Sequence, residues 1–409
     1  MGQINKYSWF TACTYFVVAV LYHMWASPFW HIPITVVFAY FVISSVFLLI
    51  NRSLCDFSPT HQRISIIAII FSLLCTRGNI FAFVFSILNL LPFLTFVNIK
   101  ECFQLRIFEV IRKTIAWIVG ISLVAWLVSQ VGFSMPYFVD FLGSFDSLWD
   151  NPYVFENHIL YLVNLNLDAS EAVFELPRFC AIFIEPGYFA SLLAMFLYVD
   201  KYNFKHRYNI VFLSAIFFSF SLSGWILTGV GMVIHGFSSG RHRLGIIFLI
   251  AALFFGIYLI GTTYNGGDNL INTRMLSRME YDADKGNISG YNRAAENFED
   301  WFDSEFVFSS DAMFGISIDQ YEKYITDQGI GWRYFVVRFG FIGLLVYLFF
   351  LFRQRRYFSK NVPTLGLILL YLMFFYQDGQ MYLATEFTIT YLMGLVLLSN
   401  KDKSYNVNS

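Results

Sequence analysis

Charged residues are scarce in this chain of 409 residues: only 13% are Asp, Glu, Lys or Arg, against about 25% in a typical soluble domain. Apolar residues make up 57% of the chain and the mean hydropathy is +0.58. This composition excludes an ordinary soluble domain and predicts a polytopic membrane protein. The net charge of −1 leaves no polybasic surface, so it argues against a nucleic-acid partner or strong attraction to anionic lipid.

Cysteine is also scarce, and its spacing matches no metal-ligand pattern, so we expect neither a zinc site nor a structural disulfide. There is no glycine-rich phosphate loop, so ATP is not an expected partner. A Ser-His-Asp order and a His-Glu-x-x-His motif are absent from the sequence as well. Asp282–Asn287 resembles a calcium loop, but its glycine is misplaced and the distal Glu is missing, so we expect no metal and no cofactor. The five cysteines are Cys13, Cys55, Cys75, Cys102 and Cys180.

Long apolar runs are abundant, and a membrane helix needs about 20 such residues. Because the N-terminus lacks a cleavable signal, we expect the first run to stay as a helix. Lysines and arginines follow alternate apolar segments, and the positive-inside rule places them in the cytoplasm. This is possible only if 209–238 crosses the membrane twice, with a break at Ser221–Gly224. The sequence thus predicts a single integral membrane domain, 1–409, with about twelve spans. They lie near 9–26, 32–50, 62–76, 80–97, 107–130, 181–200, 209–222, 224–238, 245–262, 332–352, 362–377 and 381–399.

The same alternation of cytoplasmic and outer connections places two long loops outside the cytoplasm, Val131–Pro177 and Thr263–Gly331. No Lys or Arg occurs between Lys113 and Arg178, so the first loop is purely acidic. The second loop contains arginines, but long loops are translocated largely regardless of charge. Its sequence predicts short amphipathic helices at Asn269–Met279 and Asn292–Phe302, the latter with Phe298, Trp301 and Phe302 as its apolar side.

One apolar segment is unlike a plain membrane anchor. It carries Arg178, then Glu185 and the pair Pro186-Gly187. Ionisable residues at membrane depth are expensive and mark functional sites by default. The alternative is structural: Arg178 reaches the lipid interface and Glu185 closes an ion pair. We favour the functional interpretation and expect Arg178 to open the helix.

The second loop concentrates arginine, whose planar group binds phosphate oxygens bidentately and stays charged. Arg274 and Arg278 are one helical turn apart and repel each other unless they share an anion. Pairing with Glu280 and Asp282 is an equally good explanation. Together with Arg293 and Arg333, these residues fit a diphosphate carried by a membrane lipid.

Five short motifs follow one another in a characteristic order. They are Arg178 to Glu185-Pro186-Gly187, Ser221-x-Ser223-Gly224, Tyr291-Asn292-Arg293, Phe314-Gly315 and Arg338-Phe339-Gly340-Phe341-Ile342-Gly343. From about Arg178 to the C-terminus, this order resembles that of bacterial O-antigen polymerases, the Wzy-type enzymes related to the O-antigen ligases.

The resemblance implies an all-α membrane glycosyltransferase of the GT-C-like class. It would join undecaprenyl-diphosphate-linked repeat units at the periplasmic face of a bacterial inner membrane. By motif position, Glu185, Arg178 and Arg293 would be catalytic. Glu185 is the first choice for the base and Asp311 the second. The donor and acceptor lipids would be its partners, beside membrane lipid and a chain-length regulator protein. The expected substrate-binding residues are Arg274, Arg278, Arg333, Arg338 and Tyr291.

The chain departs from the family pattern at two points. Gly224-Trp225 stands where the family often has an arginine after Ser-x-Ser, and the second loop lacks the histidine of the ligases. The second departure favours a polymerase over a ligase. A flippase or transporter of lipid-linked sugars remains an alternative, as does a peptidoglycan polymerase of the shape-and-division type.

Overall fold

The structure is a computed structural model that describes residues 6–76, 80–142, 153–165, 176–239, 243–269, 271–282, 287–288, 296–316, 331–353, 362–377 and 385–399. This part of the chain is mostly helical. Its α-helices are α1 Lys6–His23, α2 Ile34–Ile50, α3 Pro59–Thr76, α4 Ile80–Val97, α5 Glu101–Gln130, α6 Pro186–Val199, α7 Arg207–Phe218, α8 Leu222–Ser239, α9 Arg243–Thr263, α10 Glu296–Trp301, α11 Trp332–Arg353, α12 Val362–Gln377 and α13 Thr385–Ser399.

Three of the described helices are long and apolar enough to cross a membrane, namely α4, α5 and α11. Seven further apolar stretches of helix are 10–17 residues long, which is shorter than the roughly 20 residues that span a hydrocarbon core without thinning or tilt. The helices are therefore compatible with a membrane protein. The number of twelve spans stays a prediction.

Helix α6 occupies the centre of the bundle, and nearly all its residues are buried. It packs most closely against α8, because small residues line both helices at the crossing. A Cβ added to Gly224 would lie 2.5 Å from the Cβ of Ala190, a distance that real structures avoid. Small residues at such crossings let helix backbones approach closely in membrane proteins.

The predicted break in 209–238 is confirmed, with its position shifted slightly. Helix α7 ends at Phe218 and α8 begins at Leu222, so the break covers 219–221 rather than Ser221–Gly224. Phe220 there has a φ of 46°, a left-handed conformation that does not continue a helix. The Ser219 hydroxyl, which donates to Ile216 O at 2.7 Å, satisfies one of the last carbonyls of α7.

The first loop contains a β-sheet that the sequence analysis did not predict. Strands β1 Phe138–Leu142, β2 Tyr153–Asn157 and β3 Leu162–Asn164 form an antiparallel sheet in the order β1-β2-β3. Phe138 pairs with Asn157, and Asn157 also pairs with Leu162. The fold is thus helical with a small sheet at one end, not purely α.

The second loop packs on the first part of α11. The predicted apolar side of its helix is confirmed in part: Phe298 and Phe302 are buried against Val336 and Val337, whereas Trp301 is half-buried. The described helix, Glu296–Trp301, ends close to the predicted Phe302 and continues as a π-helical turn at Phe302–Phe306, while residues 292–295 of the prediction lie outside the described part of the chain. The other predicted helix is irregular as well, with a π-helical turn Asn272–Leu276 followed by a 3₁₀ turn Ser277–Met279, and two-residue strands β4 Tyr281–Asp282 and β5 Asn287–Ile288 come after it.

Candidate active site

The stretch that carries Arg178 and Glu185 is not helical. Helix α6 begins at Pro186, with Glu185 as its extended N-cap residue (φ −128°, ψ 121°). The expectation that Arg178 opens the helix is therefore wrong. A proline suits the first helical position, because its missing N–H would be unpaired there, and it disfavours helix in the residue before it. The Pro-Gly pair starts the helix instead of breaking it.

Three separate parts of the chain hold the non-helical stretch through its backbone. Phe179 N donates to Phe218 O at 3.0 Å, and Ala181 O accepts from Leu162 N at 2.8 Å. Ile182 O accepts from Ser27 N at 2.9 Å. Because backbone polar groups in a buried segment need partners, these bonds let an irregular segment remain inside the bundle. They also fix it between the α7–α8 break, the sheet and the connection that follows α1.

Ala181, in the middle of this stretch, has a φ of 52° and no exposed surface. A left-handed conformation at a residue with a Cβ costs roughly 1–3 kcal/mol and is kept only when surrounding contacts impose it. Such strain is concentrated at functional sites. The conformation therefore marks this stretch as a candidate site independently of its charges.

Arg178 lies at the C-terminal end of α7. It is half-buried, and its Nε donates to Ser219 O at 3.2 Å. A guanidinium group at a helix C-terminus is favourable, because unpaired carbonyls carry partial negative charge there. The first motif thus contacts the end of the helix that precedes the Ser221-x-Ser223-Gly224 motif.

The two motifs are joined by a buried cluster of serine hydroxyls. Ser191 Oγ and Ser223 Oγ both donate to Gly187 O, at 2.8 and 3.3 Å. They lie 3.1 Å from each other, and Ser221 Oγ lies 3.0 Å from Ser223 Oγ. The cluster binds the first turn of α6 to the first turn of α8, so it fixes the position from which Glu185 projects.

Two other motifs also meet. Ile316 N donates to Val337 O at 2.7 Å, which places Phe314-Gly315 against Arg338-Phe339-Gly340. Both glycines have positive φ, 77° at Gly315 and 68° at Gly340, and Gly340 interrupts the helical geometry of α11. A Cβ on Gly315 would lie 2.5 Å from Arg338 C and O. Glycine is required at both positions because backbone touches backbone.

The arginines near this contact differ in their surroundings. Arg333 pairs with Glu299 at 2.5 Å and with Asp303 at 3.1 Å, so it joins the second loop to α11 through two carboxylates. The guanidinium of Arg338 lies 5.8 Å from the ring of Tyr334, within the range of a cation–π contact. Arg278 is half-buried in the 3₁₀ turn after the π-helical turn.

Several predicted site residues cannot be placed. Arg293 and Tyr291, and the side chain of Arg274, lie outside the described part of the chain. The convergence of Arg178 with Arg293 therefore stays a prediction. The second-choice base, Asp311, is exposed at the start of a 3₁₀ turn.

The structure adds an acidic residue that the sequence analysis overlooked. Glu386, in the first turn of α13, is 2% exposed and accepts a hydrogen bond from Tyr188 through Oε1. Its Oε2 is buried and has no hydrogen-bond partner among the residues that the structure describes. The preceding residue, Thr385, contacts His23 Nε2 at 3.5 Å. A glutamate within a predicted apolar span was the available signal, since such residues are functional candidates.

Comparisons with protein-family models, with curated proteins and with solved structures gave no match. Among the described residues, no group of three or more His, Cys, Asp or Glu side chains is placed to hold a metal ion. The calcium-like sequence, Asp282–Asn287, falls mostly outside those residues.

Proposed function

We propose that the chain is a polytopic inner-membrane glycosyltransferase that joins lipid-diphosphate-linked oligosaccharide units at the periplasmic face. The observation that carries the proposal is the non-helical stretch from Arg178 to Glu185, in which residues 179–183 are buried and the two charged ends are half-buried. Irregular backbone at membrane depth is tolerated only where protein buries it or where it lines a water-filled cavity. A stretch that combines this backbone with two ionisable side chains is better explained by a reaction site than by an anchor.

In the proposed reaction, a sugar hydroxyl of one lipid-linked unit attacks the anomeric carbon of another. The bond from that carbon to the diphosphate oxygen breaks, and undecaprenyl diphosphate leaves with the electron pair. Charge therefore builds on the diphosphate in the transition state. A positioned cationic donor such as Arg178 contributes about 3 kcal/mol to stabilising such charge, by analogy with other oxyanion donors.

The acceptor hydroxyl must lose its proton during the attack. Glu185 is the proposed base, because a carboxylate within hydrogen-bond reach of the hydroxyl supports general base catalysis. Its position as N-cap of α6 is held by Gly187 and the serine cluster. A base on a fixed turn loses little orientation entropy when the acceptor arrives.

The test is in vitro polymerisation of a purified lipid-linked donor, with products separated by length. Glu185→Gln should abolish chain growth while the melting temperature stays near that of the wild type. The control is Glu305→Gln, which changes an exposed acid of the second loop and should leave chain growth intact. Full chain growth in Glu185→Gln would exclude Glu185 as the base.

The buried Glu386 favours a second candidate, a transporter of lipid-linked sugars. Transporters place ionisable groups inside the bundle among discontinuous helices. In cells the two functions give different products. Loss of a polymerase leaves single capped units on the surface, whereas loss of a transporter leaves no surface sugar.

A further inference from the structure

A cavity of about 500 Å³ lies where the charged end of α5 meets the turn between α6 and α7, at the opposite end of α6 from Glu185. Its size is within the range of small-ligand sites. Its lining combines charged, amide and aliphatic side chains: Arg112, Val199, Asp200, Lys201, Asn203 and Leu397.

Arg112 lines this cavity, and two of its buried hydrogen-bond donors lack an acceptor among the described residues. Its side chain is only 6% exposed. Nη2 donates to Glu109 and, at 3.3 Å, to the Tyr208 hydroxyl. Among the described residues, Nη1 forms a longer ion pair with Asp200 at 3.6 Å, and neither Nε nor Nη1 has a hydrogen-bond acceptor. A buried unsatisfied donor costs roughly 1–3 kcal/mol, so a small rotation of the guanidinium toward an acceptor in the cavity would stabilise the site.

The two carboxylates beside Arg112 have other partners. Asp200 Oδ2 accepts from Asn209 Nδ2 at 2.5 Å and lies 2.7 Å from His206 Nδ1. Glu109 pairs with Lys113 at 3.4 Å. Around the cavity and the carboxylates beside it there are three cationic side chains, Arg112, Lys113 and Lys201, and two carboxylates, Glu109 and Asp200. This leaves one net positive charge for an incoming anion.

The location along α5 indicates the kind of molecule that carries the anion. The helix has charged residues up to Lys113 and then an apolar run to Gln130, so Arg112 lies at the level where a bilayer's polar headgroups begin. Lys205 and Arg207 follow on the same turn, and clustered positive charge marks the cytoplasmic side. Anionic lipids bind basic pockets between helices on that side.

We propose that this cavity binds the phosphate group of an anionic membrane lipid. The phosphate oxygens accept from Arg112 and are paired by Lys201, and the glycerol portion lies against Val199 and Leu397. The chain as a whole carries a net charge of −1, and the pocket needs only these two cations. The site is independent of the glycosyl-transfer proposal.

Native mass spectrometry of the full-length protein in detergent tests this, with phosphatidylglycerol compared with phosphatidylcholine. The wild type should retain phosphatidylglycerol selectively. Lys201→Ala should reduce the retained fraction at least fivefold, and Arg112→Lys should also weaken it, because the planar group is lost. The matched control is Lys205→Ala, which removes a lysine of the same turn that does not line the cavity.

Equal retention in Lys201→Ala and Lys205→Ala, or no preference for the anionic lipid, would overturn the proposal. The Lys201 variant keeps the test valid even where a change at buried Arg112 impairs folding. Inorganic phosphate supplies the second arm. If it displaces the lipid at millimolar concentration and protects the wild type from heat equally well, the phosphate site is supported and its assignment to a lipid is overturned.

Discussion

Replacing Gly340 by Ala should separate two motifs that are distant in sequence. Gly340 has φ 68° and ψ 176°, a region that is essentially restricted to glycine and costs other residues about 1–3 kcal/mol. The added Cβ would also press on the Met313 carbonyl and lie 2.5 Å from Phe314 N. Overpacking of this kind costs about 1–3 kcal/mol more. The substitution should therefore weaken the contact by about 2–6 kcal/mol, a large part of a typical stability.

The assay is thermal unfolding of the purified protein in detergent, combined with proteolysis of the second loop. Gly340→Ala should lower the melting temperature by several degrees and expose the loop around Phe314 to protease. Gly256→Ala is the control, because Gly256 is helical and nothing lies within 4 Å of an added Cβ. That variant should be neutral or slightly more stable. A Gly340→Ala protein that matches the control in both measurements would refute the docking of the loop on α11.

Two further predictions concern polar side chains that are largely buried, Glu386 and His158. Glu386→Leu should lower the free energy of unfolding by about 1–3 kcal/mol, because the Tyr188 hydroxyl loses its acceptor. Adding Tyr188→Phe should recover much of this loss. Additive losses in a double-mutant cycle would contradict the hydrogen bond. Burial lowers the pKa of His158 from its usual 6.5, although the nearby Glu156 carboxylate opposes this shift. The protein should therefore be fully stable with respect to this group above pH 6.5, where the ring is neutral, and should lose stability as the pH falls through the lowered pKa. His158→Gln should flatten this part of the curve of melting temperature against pH, and an unchanged curve would show that His158 is not its source.

Much of the helical framework could be predicted because apolar runs and helix ends are local signals. The break before α8 followed from charge placement alone, and the structure moved it by only a few residues. The apolar side of the short second-loop helix was visible in the spacing of Phe298 and Phe302. The apolar side depends on residues near each other in sequence, and the break depends on charges counted along the chain, so a single sequence reveals both.

The sheet and the irregular stretch depend on long-range contacts and were not predictable in the same way. The turn between β2 and β3 places Ile159 at a φ of 68°, a conformation that is rare for a β-branched residue. Isoleucine is not a residue type that indicates a turn. Arg178 was assigned to a helix because the segment is apolar. The distant partners Phe218, Leu162 and Ser27 hold that backbone in another form.

The contact between Tyr188 and Glu386 has a consequence for where an anionic substrate would lie. Each residue is in the first turn of its helix, so the N-termini of α6 and α13 are adjacent. Helix N-termini carry partial positive charge and attract phosphate groups, and Arg178 is on the stretch that leads into α6. A lipid diphosphate held there during sugar transfer would remain at one end of the bundle. A transporter, by contrast, would need a charged path from this end to the other. The adjacent N-termini therefore fit the glycosyltransferase proposal, and the buried Glu386 carboxylate beside them is the observation that favours a transporter.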